Sequence, residues 1–464
     1  MKHPIAFAMA TLMLGGCASF SPDGGFDTVA TATRDRLGKD TRIVRNEADV
    51  AALADAIAPL LSAPLSVDSA VQVALLNNRG LQATYQRLGL AEADLVQAGR
   101  LQNPRFGFKR THEGSDVLID RSLTINLVNL LTAPLATRIE SRRFEQTRLQ
   151  VADAALNVAA DTRRAYYDAL GAVQQRTYAR QVSDAAQAGA ELGTRMAKAG
   201  NWSALDMARE QSFHADALTR VSMADKDVLV TREKLVRLLG LANAEAFTLP
   251  DRLPDLPVNS IDIQQVDQIA LRERLDIAAG KLALQATAAS LNLTRSTRFV
   301  NALEIGGVRN ASSGNPPETG YELSLEIPLF DWGTARVARA ESTYMQGVHH
   351  LADTAIIARS EARESYGNYR LAYQQARHYR DEVMPLRKRI SDQTMLRYNG
   401  MLVSVFELLA DSREQASAAH DYIGALKNFW IADSDLQTAL GGRLQSATQL
   451  ATQSGTPSAT EGEK

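Results

Sequence analysis

Two short stretches alternate strictly between apolar and polar residues. Tyr321, Leu323, Leu325 and Ile327 alternate with Glu322, Ser324 and Glu326, and Leu123, Ile125 and Leu127 alternate with Thr124 and Asn126. A period of two predicts strands with one apolar and one polar face. Turn residues at His112 to Ser115, at Gly306-Gly307 and at Asn310 to Pro317 extend these to hairpins at about 104–128 and about 300–328. Elsewhere the apolar spacing is helical. Leu81, Leu88 and Leu95 recur every seven residues, as do Ile277, Leu284 and Leu291, each set a seam for helix packing. They predict helices over about 66–100 and about 262–297.

After each hairpin comes a long tract rich in Ala, Gln, Arg, Glu and Leu, about 134–240 and about 333–440, with no Pro between Pro134 and Pro250. Such composition predicts long helices. Each tract has one break, at Ala199-Gly200-Asn201 and at Asn399-Gly400-Met401, residue types that end helices in the left-handed conformation. Each tract is thus two antiparallel helices meeting at a tip, the 134–198 arm alone running about 97 Å. Pro385 predicts a kink.

The two halves are copies of one unit. At an offset of 196, Leu81, Leu88 and Leu95 fall on Ile277, Leu284 and Leu291. At 200, Leu123, Ile125 and Leu127 fall on Leu323, Leu325 and Ile327, Arg163 on Arg363, Tyr166 on Tyr366 and Gln174-Gln175 on Gln374-Gln375. At 201, Ser203 falls on Ser404, Asp206 on Glu407 and Leu239-Gly240 on Leu440-Gly441. Repeat one covers 62–257 and repeat two 258–443.

The N-terminus adds a location. Lys2 and His3 precede an apolar run from Ile5 to Leu14 and then Leu14-Gly15-Gly16-Cys17, which matches a lipobox. Residues 1–16 read as a cleaved signal peptide, too short to span a bilayer. Cys17, the only Cys of the 464 residues, reads as the lipidated first residue of the mature chain. Ala18, in place of the Asp that commonly retains lipoproteins in the inner membrane, favours the outer membrane. Residues 17–61 form a lipid-anchored segment of no legible role, and the Ser/Thr/Gly-rich tail 444–464 reads as disordered. The net charge of −2, with no basic run, argues against nucleic acid. No apolar stretch approaches the roughly 20 residues of a membrane helix, so membrane passage requires strands. Two hairpins supply four strands. The smallest single-chain barrels have about eight, and open sheet edges cannot face lipid. Several chains must therefore share a barrel.

From about Leu65 to Gly442 the chain resembles the TolC-like outer membrane factor family, in a lipoprotein form typical of resistance-nodulation-division efflux systems. The resemblance is carried by Leu65-Ser66-Val67-Asp68-Ser69-Ala70, by Ile327-Pro328-Leu329-Phe330-Asp331-Trp332-Gly333 and by Gly400 to Leu409, in order within a duplicated chain. It implies a mainly α fold of long helical hairpins, an α-helical barrel, with four membrane strands per chain in a trimeric twelve-stranded β-barrel. It implies an exit duct that passively exports small molecules or ions, in a homotrimer with a periplasmic adaptor, an inner-membrane pump and outer-membrane lipid as partners. One departure stands out: Leu127 to Pro134 replaces the family's Pro-Leu-Phe-like turn and Gly, so the exit from the first hairpin should differ.

A duct needs a wet lumen, a gate and a docking tip. Glu322, Ser324 and Glu326 are the expected lumen residues of the barrel. The resemblance implies a tunnel narrowed near its tips by acidic residues just after the tip Gly, which makes Asp206, Glu407 and Asp411 the expected constriction, where a threefold ring of carboxylates would select cations. Gly200, Asn201, Trp202, Gly400, Met401, Leu402 and Val403 are the expected adaptor contacts, with Trp202 and Met401 to Val403 as exposed apolar residues. His349-His350 point about 100° apart on a helix and do not chelate together. No Ser/His/Asp grouping, phosphate loop or zinc spacing occurs. The chain reads as a non-enzyme without catalytic residues, metal or cofactor, apart from covalent lipid on Cys17. Two other readings stay open: a type I protein secretion duct, and a periplasmic coiled-coil scaffold lipoprotein without a pore.

Overall fold

The structure, a computed structural model, describes residues 19–300, 302–313 and 315–442. The signal peptide, Cys17 and the 444–464 tail lie outside the described residues. The order of elements is α1 (Asp27–Leu37), α2 (Glu47–Leu61), α3 (Val67–Asn77), α4 (Arg79–Ala98), β1 (Arg105–Glu113), β2 (Asp116–Asn126), α5 (Leu127–Lys198), α6 (Ala204–Leu239), α7 (Val266–Glu273), α8 (Leu275–Ser296), β3 (Leu303–Ser312), β4 (Glu318–Leu325), α9 (Thr334–His378), a π turn (Tyr379–Val383), α10 (Met384–Asn399) and α11 (Val405–Ala439). The fold is mainly helical with one small antiparallel sheet. Among the described residues, no helix is long and apolar enough to cross a membrane.

The chain divides into two compact units, and each takes segments from both halves of the sequence. Of the described residues, the first holds Thr84–Ala152, Leu275–Ile356 and those before Ala30; the second holds Ala30–Ala83, Asp153–Arg274 and those from Ile357 to Gly442.

The first unit contains the sheet, in strand order β1-β2-β3-β4. The two hairpins leave it by different routes. β2 passes directly into α5, and the Asn126 side chain accepts a hydrogen bond from the Asn129 amide (3.0 Å), as a helix cap does. The helix thus starts at Leu127, earlier than the expected 134, and Pro134 lies inside it. After β4 the chain instead turns through 326–333. There Asp331 accepts from the Gly333 amide (2.8 Å), and Trp332 packs edge-on against Phe299. Gly333 has φ +72°, and a Cβ on it would lie 2.7 Å from the Arg298 carbonyl. Only glycine suits that turn, which gives the end of the Ile327–Gly333 motif its physical reason. N-terminal residues are held in the same unit. The Glu92 carboxylate accepts from the Ser21 amide (2.6 Å), and Phe26 meets Tyr85 edge-on at 5.0 Å.

The second unit holds the main apolar core, with Leu65, Leu170, Leu235, Leu239, Tyr369 and Phe429 fully enclosed. Matched tyrosines do matched work there. Tyr166 donates to the Leu65 carbonyl (2.9 Å), beside the cap of α3. Tyr366 donates to Asp262 (2.7 Å) and accepts from the Ile263 amide (3.3 Å), just ahead of α7. The expected single helices at 66–100 and 262–297 are each broken in two, at Asn78 and at Arg274, both extended in backbone. Asn78 accepts from the Leu81 amide and donates to the Leu238 carbonyl, so its side chain satisfies two helix ends at once. Arg274 is drawn into an ion pair with Glu361 at 2.5 Å. Near Pro385 the helix passes through the π turn Tyr379–Val383, and Pro385 sits in the first turn of α10, where its missing N–H costs least. Residues 17–61, mute in sequence, include α1 and α2; α2 opens with a reciprocal Asn46/Asp49 capping box.

Candidate functional site

The sheet gathers its exposed apolar residues on one face and its carboxylates on the other. Strand partners share a face, so the register assigns every side. One face carries Phe106, Phe108, Leu123, Ile125, Ile305, Tyr321, Leu323 and Leu325, all exposed; Tyr321 is 87% exposed. The other carries Arg105, Lys109, Asp120, Ser122, Thr124, Glu304, Asn310, Glu318, Glu322 and Ser324. Arg105 reaches Glu304 across that polar face (3.5 Å). Glycines bring strands close there: a Cβ on Gly306 would lie 2.6 Å from Thr124. The expected lumen residues Glu322 and Ser324 thus stand together on the polar face, opposite Gly306 and Glu304. Glu326 lies just past β4, where its amide donates to the Ala302 carbonyl (3.1 Å). β1 and β4 are the sheet's two edges, and among the described residues neither has an outer strand partner.

The tips lie in the second unit. At the first, Gly200 takes the left-handed conformation (φ +78°), and the Asn201 amide reaches back to the Met196 carbonyl (2.9 Å). At the second, the left-handed residue is Met401 (φ +56°); Gly400 has a negative φ (−81°), contrary to the sequence expectation. The Leu402 amide closes that tip on the Arg397 carbonyl (2.8 Å). The register explains the swap: Met401, not Gly400, matches Gly200 at the offset of 201. Met401 is 94% exposed and Leu402 78%. Trp202 is not an exposed apolar residue. It is half-buried, stacked on Phe406 and closed against Gly193, where a Cβ would lie 2.8 Å from the indole.

Asp206 and Glu407 occupy the same place, third in a helix capped by serine. Ser203 and Ser404 accept from their amides at 3.1 and 3.4 Å. A carboxylate there also suits the positive end of the helix dipole. Asp206 is further held by the Ser203 hydroxyl (2.7 Å) and by Arg209 (3.5 Å). Glu407 is exposed and makes no ion pair among the described residues. One Asp411 carboxylate oxygen is enclosed without a hydrogen-bond partner.

Beside these residues lies a pair that sequence reasoning missed. Glu210 is buried, with 3% of its side chain exposed, and accepts from Arg413 at 2.5 Å. The same guanidinium lies over the Phe213 ring, 4.4 Å from its centroid. Glu210 and Arg413 are 203 residues apart and are not a repeat-matched pair, so no periodicity signals them. They line a cavity of about 210 Å³ with Tyr178, Gln181 and Leu409.

These features meet known proteins in one architecture. The structure superimposes on the Campylobacter jejuni CmeC outer membrane channel with a TM-score of 0.69, at 16% identity, covering 83% of this chain and 88% of that one. It superimposes on the outer-membrane channel OprN with a TM-score of 0.68, at 17% identity, covering 92% and 97%. The chain has the fold of the TolC-like outer membrane factors. In sequence, it is 22% identical over 391 residues to the cobalt-zinc-cadmium resistance protein CzcC of Cupriavidus metallidurans, covering 82% of this chain and 90% of that protein. It is 26% identical over 334 residues to the protein CyaE of Bordetella pertussis, covering 64% and 69%. No protein-family model matches the chain.

Proposed function

We propose that this protein is the outer-membrane exit duct of a tripartite efflux system. The observation that carries the reading is the sheet: an exposed apolar face, an acidic polar face and two unpartnered edges. An exposed apolar sheet face suits lipid, and the polar face suits a water-filled lumen. Edges left open in lipid would strand backbone donors and acceptors, so β1 and β4 must pair with neighbouring copies. Three chains of four strands give a twelve-stranded barrel. Past β4, Ile327, Leu329, Phe330 and Trp332 stand exposed, Phe330 at 99%, as residues of a membrane–water boundary do.

In this reading Cys17 carries the lipid anchor and the chain acts as a homotrimer. The tips meet a periplasmic adaptor through Met401, Leu402 and Val403, with Gly200, Asn201 and Gly400 shaping the turns, and an inner-membrane pump supplies the energy. Glu407 and Asp411 line the constriction, and Asp206 supports it from the matched helix. The carboxylates of the polar sheet face favour cations. The cargo is small molecules or ions, a class that includes the divalent metals in the name of the relative CzcC. No step breaks or forms a covalent bond, and no cofactor is required.

The test is conductance in planar bilayers. The purified, folded protein is expected to open cation-preferring pores, and Glu407→Ala to change conductance and weaken that preference. A folded protein that never conducts would remove the duct and favour the scaffold; an unchanged Glu407→Ala channel would remove the constriction alone.

A further inference from the structure

The apolar face of the sheet carries three arginines. Phe108, Arg121, Arg309 and Thr319 are register partners across the four strands, and Arg110 pairs with Ile119, one step nearer the turns. Arg121 and Arg309 are therefore directly opposite, with Cβ atoms about 5 Å apart, and Arg110, on the other side of β2, is the diagonal neighbour of Arg121. All three are exposed, and none has an ion pair among the described residues. Among the described residues of the four strands no carboxylate shares their face: Asp120, Glu304, Glu318 and Glu322 all stand on the other. Like charges directly opposite destabilise a sheet pair. No described residue on this face neutralises them, so the site is complementary to an anion.

The arginines also have a definite level. Arg110 and Arg309 lie three residues from the turn ends of β1 and β3, away from the ends that lead to the helices. Toward the helices, the same face continues as Phe106, Leu123, Ile125, Ile305 and Leu323. A ligand fitted to this surface has hydrocarbon beside the apolar rows and negative charge beside the arginines. We propose that Arg110, Arg121 and Arg309 form a binding site for the phosphate of an outer-leaflet lipid headgroup, whose acyl chains lie along the apolar rows. The inference rests on the duct reading, which turns this face to lipid. Guanidinium forks match phosphate oxygens two at a time, and an arginine near the membrane boundary costs little where one at the midplane costs much.

The test titrates the full-length protein in detergent with bisphosphorylated lipid A, with the same lipid stripped of phosphate, and with inorganic phosphate, followed by native mass spectrometry. The wild type is expected to bind the phosphorylated lipid selectively. R110Q/R121Q/R309Q is expected to bind it about 100-fold more weakly, from three surface charges each contributing about fivefold. R105Q/K109Q, on the polar face, is expected to bind as the wild type. Should the triple variant not fold, R121Q and R309Q singly carry the test, each with about a fivefold loss. Equal binding by wild type and arginine variants, equal binding of the stripped lipid, or saturation by inorganic phosphate alone at the same concentrations would overturn the site. Bilayer conductance of the same wild-type preparation separates the two ideas: a conducting protein without phosphate selectivity loses only the lipid site, whereas a non-conducting one loses the duct.

Discussion

Trp202 and Phe406 stack with ring centroids 4.4 Å apart and planes 29° from parallel. One follows the turn of the first helical hairpin and the other opens the return helix of the second, so the pair ties the two tips together. Stacked aromatic pairs contribute about 1 kcal/mol beyond their area. In a double-mutant cycle, Trp202→Ala and Phe406→Ala are expected to couple by about that much in the opening free energy of the tips, read by hydrogen exchange. Strict additivity would mean the rings do not work as a pair.

The two tips give substitutions of opposite sign. A left-handed backbone costs a side-chain-bearing residue roughly 1–2 kcal/mol. Met401→Gly is therefore expected to protect the second tip from proteolysis, and Gly200→Ala to expose the first. Equal effects of one sign would contradict the assigned conformations.

The buried Glu210–Arg413 pair stabilises the second unit chiefly because each partner keeps the other from being alone. Removing one partner of such a pair costs about 3–5 kcal/mol, and replacing both by apolar residues costs far less. Glu210→Ala is expected to lower the unfolding temperature markedly, and E210L/R413L to recover much of it. A double variant as damaged as the single would argue for a strict sum of contacts.

Acid should help one site. Burial pushes the Asp433 carboxyl up to about 6, against a hydrogen bond from Gln437 (2.8 Å) and the Arg163 charge, which both pull it down. Its folded value lies above the unfolded one of 3.8. Between those values the folded state holds the extra proton, so stability falls as pH rises from about 4 to about 6 and then levels. Asp433→Asn is expected to flatten that part of the pH–stability curve relative to the wild type; an unaltered slope would assign it to other groups.

Much of this was legible in the sequence for a physical reason. Period-two alternation at Tyr321–Leu325 and seven-residue spacing at Leu81–Leu95 are set by local geometry, and the sheet and helices follow them. The breaks at Asn78 and Arg274 were not legible, because their partners, Leu238 and Glu361, are distant in the chain. The second tip was misread because Gly400 looks like the left-handed residue, while the helix end places that conformation on Met401. Trp202 reads as exposed until Phe406, 204 residues later, is brought beneath it. The acids Asp206 and Glu407 stand out in the sequence because they match at the offset of 201, and the structure adds that each is the third residue of a helix capped by serine.

In the proposed duct the sheet crosses the outer membrane with its turns outside, and the helical tips face the periplasm. Single cysteines at Pro316, in the turn between β3 and β4, and at Asn201, in the first tip, test it with a membrane-impermeant maleimide on intact cells. Position 316 is expected to label on intact cells, and 201 only after the outer membrane is opened. Position 316 silent until the membrane is opened, in folded protein recovered from the outer membrane, would contradict it.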